Sequence, residues 1–297
     1  MTAVTNEIVR AGRFTPAASY QRFAYACAGL LLLSGLFHGI VFLVDGGSWE
    51  GPVSWRKPIV FGLSFGITLA TMTWIVGFLR TRKVTGWVIT GTLAVASVLE
   101  VFLITMQRWR GVPSHFNEST AFDSAVFSAM GLLVTLVALM AIVITIRSFV
   151  HMDAPASLAW AIRLGLVLLL VSQVVGVQMI AEGGNTFGAA GALKVPHAFT
   201  LHALQVLPAL ALLLVIAEYT ERQRLEIVAL GGLGYGALIA STMAQTYAGL
   251  APTALGSLAM ALAASGLVVL AVCLGVTVRG IAHHIHPPAG HLPSPAA

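Results

Sequence analysis

Eight stretches of this chain are each long and apolar enough to cross a bilayer, and that feature limits what it can fold into. A transmembrane helix needs about 20 mostly apolar residues to span roughly 30 Å of hydrocarbon. The stretches run over about 23–44, 58–79, 86–107, 124–146, 158–181, 196–217, 226–247 and 254–277. In lipid the backbone must satisfy its own hydrogen bonds, so such stretches fold as helices. The expectation is an all-α polytopic membrane protein with eight transmembrane helices. Composition agrees: 9% of residues are charged and 58% hydrophobic, where a soluble domain carries about a quarter charged. A soluble enzyme and a disordered chain are excluded. The first apolar stretch is too long for a cleaved leader and lacks a small-residue cleavage site, so it is read as a retained helix.

Charge sets the expected orientation. An even number of spans puts both termini on one side, and that side holds eleven of the sixteen basic residues. Only Arg56, Lys57, Arg108, Arg110 and Lys194 fall on the other. The positive-inside rule then places both termini in the cytoplasm of a cell whose inner (plasma) membrane holds the chain. The sequence pI of about 9.6 reflects this asymmetry and gives no reason to expect nucleic acid as a partner; the expected partner is the lipid bilayer. Cys27 and Cys273 both lie near cytoplasmic helix ends, where thiols stay reduced, so no disulfide framework is expected.

The chain reads as one membrane domain. Residues 1–22 form a basic cytoplasmic arm, 23–147 a first four-helix half, 158–277 a second, and 278–297 a Pro- and His-rich disordered tail. A shift of 138 residues aligns the halves without gaps: Pro58, Phe61 and Leu63 overlay Pro196, Phe199 and Leu201, and Gln107 and Gly111 overlay Gln245 and Gly249. Identity at this register is 12 of 90 positions from 22 to 111. A parallel four-plus-four duplication and eight independent, similarly spaced helices both remain open.

Ionisable groups inside spans are costly and mark functional sites by default. His38, Glu100 and His202 each lie roughly 9–10 Å below the outer end of their helices, at 1.5 Å per residue. The inner halves carry nothing comparable. If the helices close around these groups, they enclose an outward-opening polar chamber. Two histidines and a carboxylate form a known ligand set for a single transition metal, with Glu100 as third ligand or proton carrier. His38 and His202 are alternatively axial ligands to a haem. The haem propionates would then face Arg56, Lys57, Arg108 and Arg110. The bland reading is that each of these side chains is a hydrogen-bonded packing residue.

The outer loops are rich in Trp, Gly, His and Arg, and the third, QRWRGVPSHFNESTAFD, is the most distinctive. Arg110 and His115 are candidates there for a substrate or propionate clamp, with His115 also a candidate base. The alternative for Arg108, Trp109 and Arg110 is interfacial anchoring. Ser119 or Thr120 is placed to cap the fourth helix, and Asp123 to favour its N-terminal dipole. Pro208, inside the sixth span, is expected to bend it.

The strings WRKPIVFGLSFG, QRWRGVPSHFN and HAFTLHALQVLP resemble a family of bacterial multi-pass membrane proteins to which no reaction is assigned. The likeness covers about Phe37 to Pro208 and implies that His115, Asn117, His202 and Gln205 are family features. The eight-span plan with outward histidines is also similar in architecture to haem A synthase, whose paired histidine motifs this chain lacks.

Three readings follow. The first is a metal- or haem-dependent redox protein or enzyme acting at the outer leaflet, with His38 and His202 as ligands and Glu100, His115 and Arg110 in catalytic roles. Arg56 and Arg108 would assist in holding the cofactor. The second is a small-molecule or lipid transporter or binding protein using the same chamber. The third is a non-catalytic membrane subunit of a larger complex. No phosphate-binding glycine loop, nucleophile elbow, CxxC or HExxH motif is present.

Overall fold

The computed structural model describes residues 18–254 and 256–285. Most of the proposed basic arm and the Pro- and His-rich tail lie outside the described residues. Eight long helices account for nearly all of the rest: α1 (Ser19–Asp45), α2 (Arg56–Val76), α3 (Lys83–Trp109), α4 (Ala121–Val150), α5 (Ala156–Ala181), α6 (Lys194–Ile216), α7 (Glu221–Tyr247) and α8 (Ser257–Ile285). A two-stranded antiparallel hairpin, β1 (Thr186–Phe187) and β2 (Gly191–Ala192), precedes α6. Every expected span is a helix, and each is long and apolar enough to cross a membrane. The chain is an integral membrane protein of the all-α class.

Its exposed surface fits that environment. On α1, Leu33 is 65% exposed and Ile40 62%, and α8 exposes Leu258, Leu267, Val268 and Leu274 in the same way. Apolar faces of that extent suit contact with acyl chains.

Two compact units divide the chain. One contains residues 18–153 and 169–185, the other 154–168 and 186–285. In the first unit, α1 and α2 meet backbone to backbone. A Cβ on Gly62 would fall 2.8 Å from the amide nitrogen of Gly35, and one on Gly66 would fall 2.8 Å from Leu32. Gly62 and Gly66 form the small-xxx-small pattern that lets membrane helices approach closely where no hydrophobic effect drives them together. Beside them Ile104 of α3 packs with Val126 and Met130 of α4, and Phe61, Leu103 and Met106 close around this group. Near its start, α3 carries a π-helical turn over Trp87–Gly91. Gly86, just before it, lies against the Tyr20 ring.

The second unit uses the same device. Gly234 of α7 and Gly266 of α8 face one another, with a Cβ on Gly266 only 2.7 Å from the Gly234 carbonyl oxygen. The hairpin seats on the end of α7: Gly191 leaves no room for a side chain beside the Thr246 carbonyl, and the Phe187 and Tyr247 rings meet edge to face at 5.2 Å. Helix α6 continues through Pro208.

The boundaries repeat at the 138-residue shift. Helices α2 and α6 start at Arg56 and Lys194, α3 and α7 start at Lys83 and Glu221, and these last two end at Trp109 and Tyr247.

Candidate functional site

The loops 46–55 and 110–120 bring most of the first unit's polar chemistry to one end of its helices. Its first cluster is built on His38. The Trp109 indole N–H donates to His38 Nε2 at 3.1 Å, while His38 Nδ1 lies 2.7 Å from the Ser34 carbonyl oxygen. An indole is only a donor and a carbonyl only an acceptor. The ring is therefore held as the neutral Nδ1–H tautomer, with both nitrogens engaged. Trp55 stacks alongside at 6.0 Å from the imidazole and meets Trp109 edge to face at 5.0 Å. The Trp55 indole donates to Asp45 at 2.6 Å. Over the Trp55 ring lies the Arg108 guanidinium, 3.6 Å from the ring centroid and 3.8 Å from Asp45. Ile40, Val41 and Val44 join Asp45, Trp55 and Trp109 around an open recess of about 370 Å³.

The second cluster is a clasp for the 110–120 loop. Asp123 of α4, 2% exposed, accepts from Gln107 Nε2 at 2.9 Å, from Arg110 Nη1 at 2.6 Å and from the Thr120 hydroxyl at 2.7 Å. Arg110 also donates to the Gln107 side-chain oxygen. In return Thr120 caps α4 by accepting from the Asp123 amide at 3.1 Å. Asn117 holds the loop from within, donating to the Pro113 carbonyl and accepting from Ser119.

The third cluster lies between α2 and the same loop. Lys57 Nζ donates to Ser114 Oγ at 3.4 Å, and Ser114 Oγ is 2.9 Å from His115 Nδ1. Burial and the neighbouring Lys57 push the His115 imidazole down to about 3, so the ring is neutral around pH 7. His115 rests on the Phe61 ring at 5.5 Å, and Phe61 stacks on Phe65 one turn further into α2 at 6.1 Å. Phe116, which takes a left-handed backbone (φ 57°), turns its ring to Phe127 at 5.3 Å.

Below these clusters lies Glu100. It is fully buried, and neither carboxylate oxygen has a hydrogen-bond partner among the described residues. Nine residues separate it from Trp109 at the end of α3, a depth of about 13 Å at 1.5 Å per residue. Ile104, one turn nearer that end, belongs to the buried cluster against which Phe61 packs.

His38, Glu100, Arg56, Arg108, Arg110 and His115 thus belong to the first unit. His202 belongs to the second, on α6, where Nδ1 lies 3.2 Å from the Gln205 side-chain oxygen. Arg56 pairs with Glu50 at 3.7 Å and donates to the Trp49 carbonyl. Among the described residues no group of three or more His, Cys, Asp or Glu side chains is placed to hold a metal ion. His38 does not fit a ligand role as it stands, because a metal or haem iron at Nε2 would have to displace the Trp109 N–H. The sequence marks Trp109 as an interfacial anchor and Asp123 as a dipole residue, whereas in the structure Trp109 is the donor to His38 and Asp123 is a hydrogen-bonding hub. The Thr120–Asp123 spacing signals the cap, but nothing in the sequence signals a partner 71 residues away for His38.

No family model, no curated protein and no solved structure matches this chain. The class rests on the architecture: an eight-span helical integral membrane protein.

Proposed function

We propose that this protein binds a small molecule or lipid from the outer leaflet of the cell membrane, as a transporter or binding protein, with Glu100 as its coupling carboxylate. The observation that supports this reading is the burial of Glu100 with both oxygens unpartnered among the described residues. An unsatisfied carboxyl group in hydrocarbon costs several kcal/mol or so in hydrogen bonding alone, and such groups mark ligand or proton pathways. Open acceptor positions suit a ligand carrying hydroxyl or amine donors. The positive-inside count favours placing the loop-rich end outside and the termini in the cytoplasm.

This reading is favoured over a metal- or haem-dependent enzyme because His38, the first expected ligand, spends both nitrogens on Trp109 and Ser34. Arg110 and Arg108 are likewise committed, to Asp123 and to Asp45 with Trp55. The catalytic and cofactor-holding roles considered for these residues find little free chemistry there.

The test is the small-molecule and metal content of wild-type and E100Q protein purified in mild detergent, by mass spectrometry and elemental analysis. The expected result is a co-purifying organic molecule retained by wild type and depleted in E100Q, with equal metal content. A metal or haem lost on E100Q, or identical small-molecule content in both, overturns the reading.

A further inference from the structure

The two indoles beside the end of α1 have both donors engaged. The Trp109 N–H goes to His38 Nε2 and the Trp55 N–H to Asp45 Oδ2. Toward the recess they line, these rings therefore offer only carbon and π surface. Ile40, Val41 and Val44 add aliphatic walls, and Asp45 is the one charged side chain among the lining residues. Its carboxylate is only half engaged. Oδ2 takes the Trp55 bond and lies 3.8 Å from Arg108, while the exposed Asp45 has no hydrogen bond at Oδ1 among the described residues.

The recess sits where a lipid head group meets its chains. Asp45 is the last residue of α1, and Ile40 is five residues further in, about 8 Å at 1.5 Å per residue. Tryptophan rings at a helix end belong to that boundary layer. Ile40 and Val44 are both exposed, so the recess opens sideways onto apolar surface. Its volume of about 370 Å³ lies at the lower end of small-ligand sites, which run from roughly 300 to 1,000 Å³. That is room for a head group rather than a whole lipid.

A bare carboxylate oxygen beside π faces calls for a cation that also donates. An ammonium does both, through a charge-assisted bond to the carboxylate and attraction to the indole face. Trp55 already draws one cation in this way, the Arg108 guanidinium at 3.6 Å from its centroid. At 3.8 Å from Asp45 that guanidinium is past hydrogen-bond reach. Its charge balances the carboxylate and leaves Oδ1 open. Such a balanced pair favours a head group that carries an anion as well as the ammonium.

We infer that this recess binds the head group of a zwitterionic phospholipid of the ethanolamine type, with Asp45 Oδ1 accepting from the primary ammonium. The lipid chains then lie along α1, over Ile40 and Val44. This site is additional to the ligand assigned to Glu100 and stands whether or not that assignment holds.

Native mass spectrometry of the full chain in mild detergent tests it, titrating dioleoyl phospholipids with ethanolamine, choline or glycerol head groups onto wild type, D45N, D45E and E100Q. The ethanolamine lipid is expected to bind wild type saturably and D45N about tenfold or more weakly. D45N keeps an amide oxygen for the Trp55 N–H, so the recess is preserved while the charge is lost. D45E, which restores the carboxylate, is expected to recover part of the affinity. The choline lipid has the charge but no N–H and is expected to bind wild type more weakly than the ethanolamine lipid. The glycerol lipid has no ammonium and is expected to bind wild type and D45N alike. E100Q is expected to keep wild-type affinity for the ethanolamine lipid, which separates this site from the buried carboxylate. Equal affinity of wild type and D45N for the ethanolamine lipid overturns the inference. So does an equal loss of the ethanolamine and glycerol lipids in D45N, or equal binding of the ethanolamine and choline lipids to wild type.

Discussion

Gln107 and Gln245, 138 residues apart, end their helices in the same turn. The Gln107 carbonyl accepts the Val112 amide at 3.1 Å, and the Gln245 carbonyl accepts the Leu250 amide at 3.3 Å. The intervening Gly111 and Gly249 take φ of 72° and 69°. Each glutamine side chain then secures the connection that follows. Gln107 holds Asp123, and Gln245 donates to the Ala251 and Ala254 carbonyls at 2.7 Å while accepting from the Gly256 amide. Shared starts, shared ends and a shared closing turn favour duplication over independent helices, because a gap-free register has no physical need to be preserved in unrelated segments.

These glycines support a direct prediction. A left-handed backbone costs an L-residue roughly 1–2 kcal/mol. A Cβ on Gly111 meets nothing within 4 Å, and on Gly249 its nearest contact is 3.4 Å, so backbone strain is the main cost at both. G111A and G249A should each lower stability by about 1 kcal/mol in thermal unfolding. A far larger loss at one of them would show that the two turns are not equivalent.

The His38–Trp109 bond gives a second prediction. W109F keeps an aromatic ring but removes the indole N–H, leaving the His38 Nε2 acceptor unpaired. The expected loss is about 1–3 kcal/mol, the usual cost of an orphaned buried polar atom. Metal content should be the same in wild type, W109F and H38A. A metal that disappears with H38A would restore the ligand role that the hydrogen bonds argue against.

His115 makes stability depend on pH. Its folded-state value lies near 3, below the usual 6.5 or so, because of burial and Lys57. Between these values the unfolded chain takes up a proton that the folded chain refuses. Its contribution is therefore whole above about pH 6.5 and falls as pH drops toward 3. The thermal midpoint of wild type should decline through that window more steeply than that of H115Q. Parallel curves would mean that another group sets the acid sensitivity.

Much of the fold was legible in the amino-acid order. Eight apolar runs dictate eight helices, since lipid forbids unpaired backbone groups, and a Thr three residues before Asp123 announces the cap on α4. The 138-residue spacing is visible too, although 12 identities in 90 positions carry little weight without the matching boundaries and turns.

What the order of residues left open is which side of each helix faces protein. In a soluble chain the apolar stripe marks the buried face, but acyl chains are as apolar as a protein interior, so these helices are apolar all round and the stripe vanishes. Only packing, set in part by the close approach of Gly35 to Gly62, turns His38 to Trp109, Arg110 to Asp123 and Lys57 to Ser114. The sequence alone therefore names the polar groups in and beside the membrane; their partners, and the solitude of Glu100, are properties of the tertiary structure.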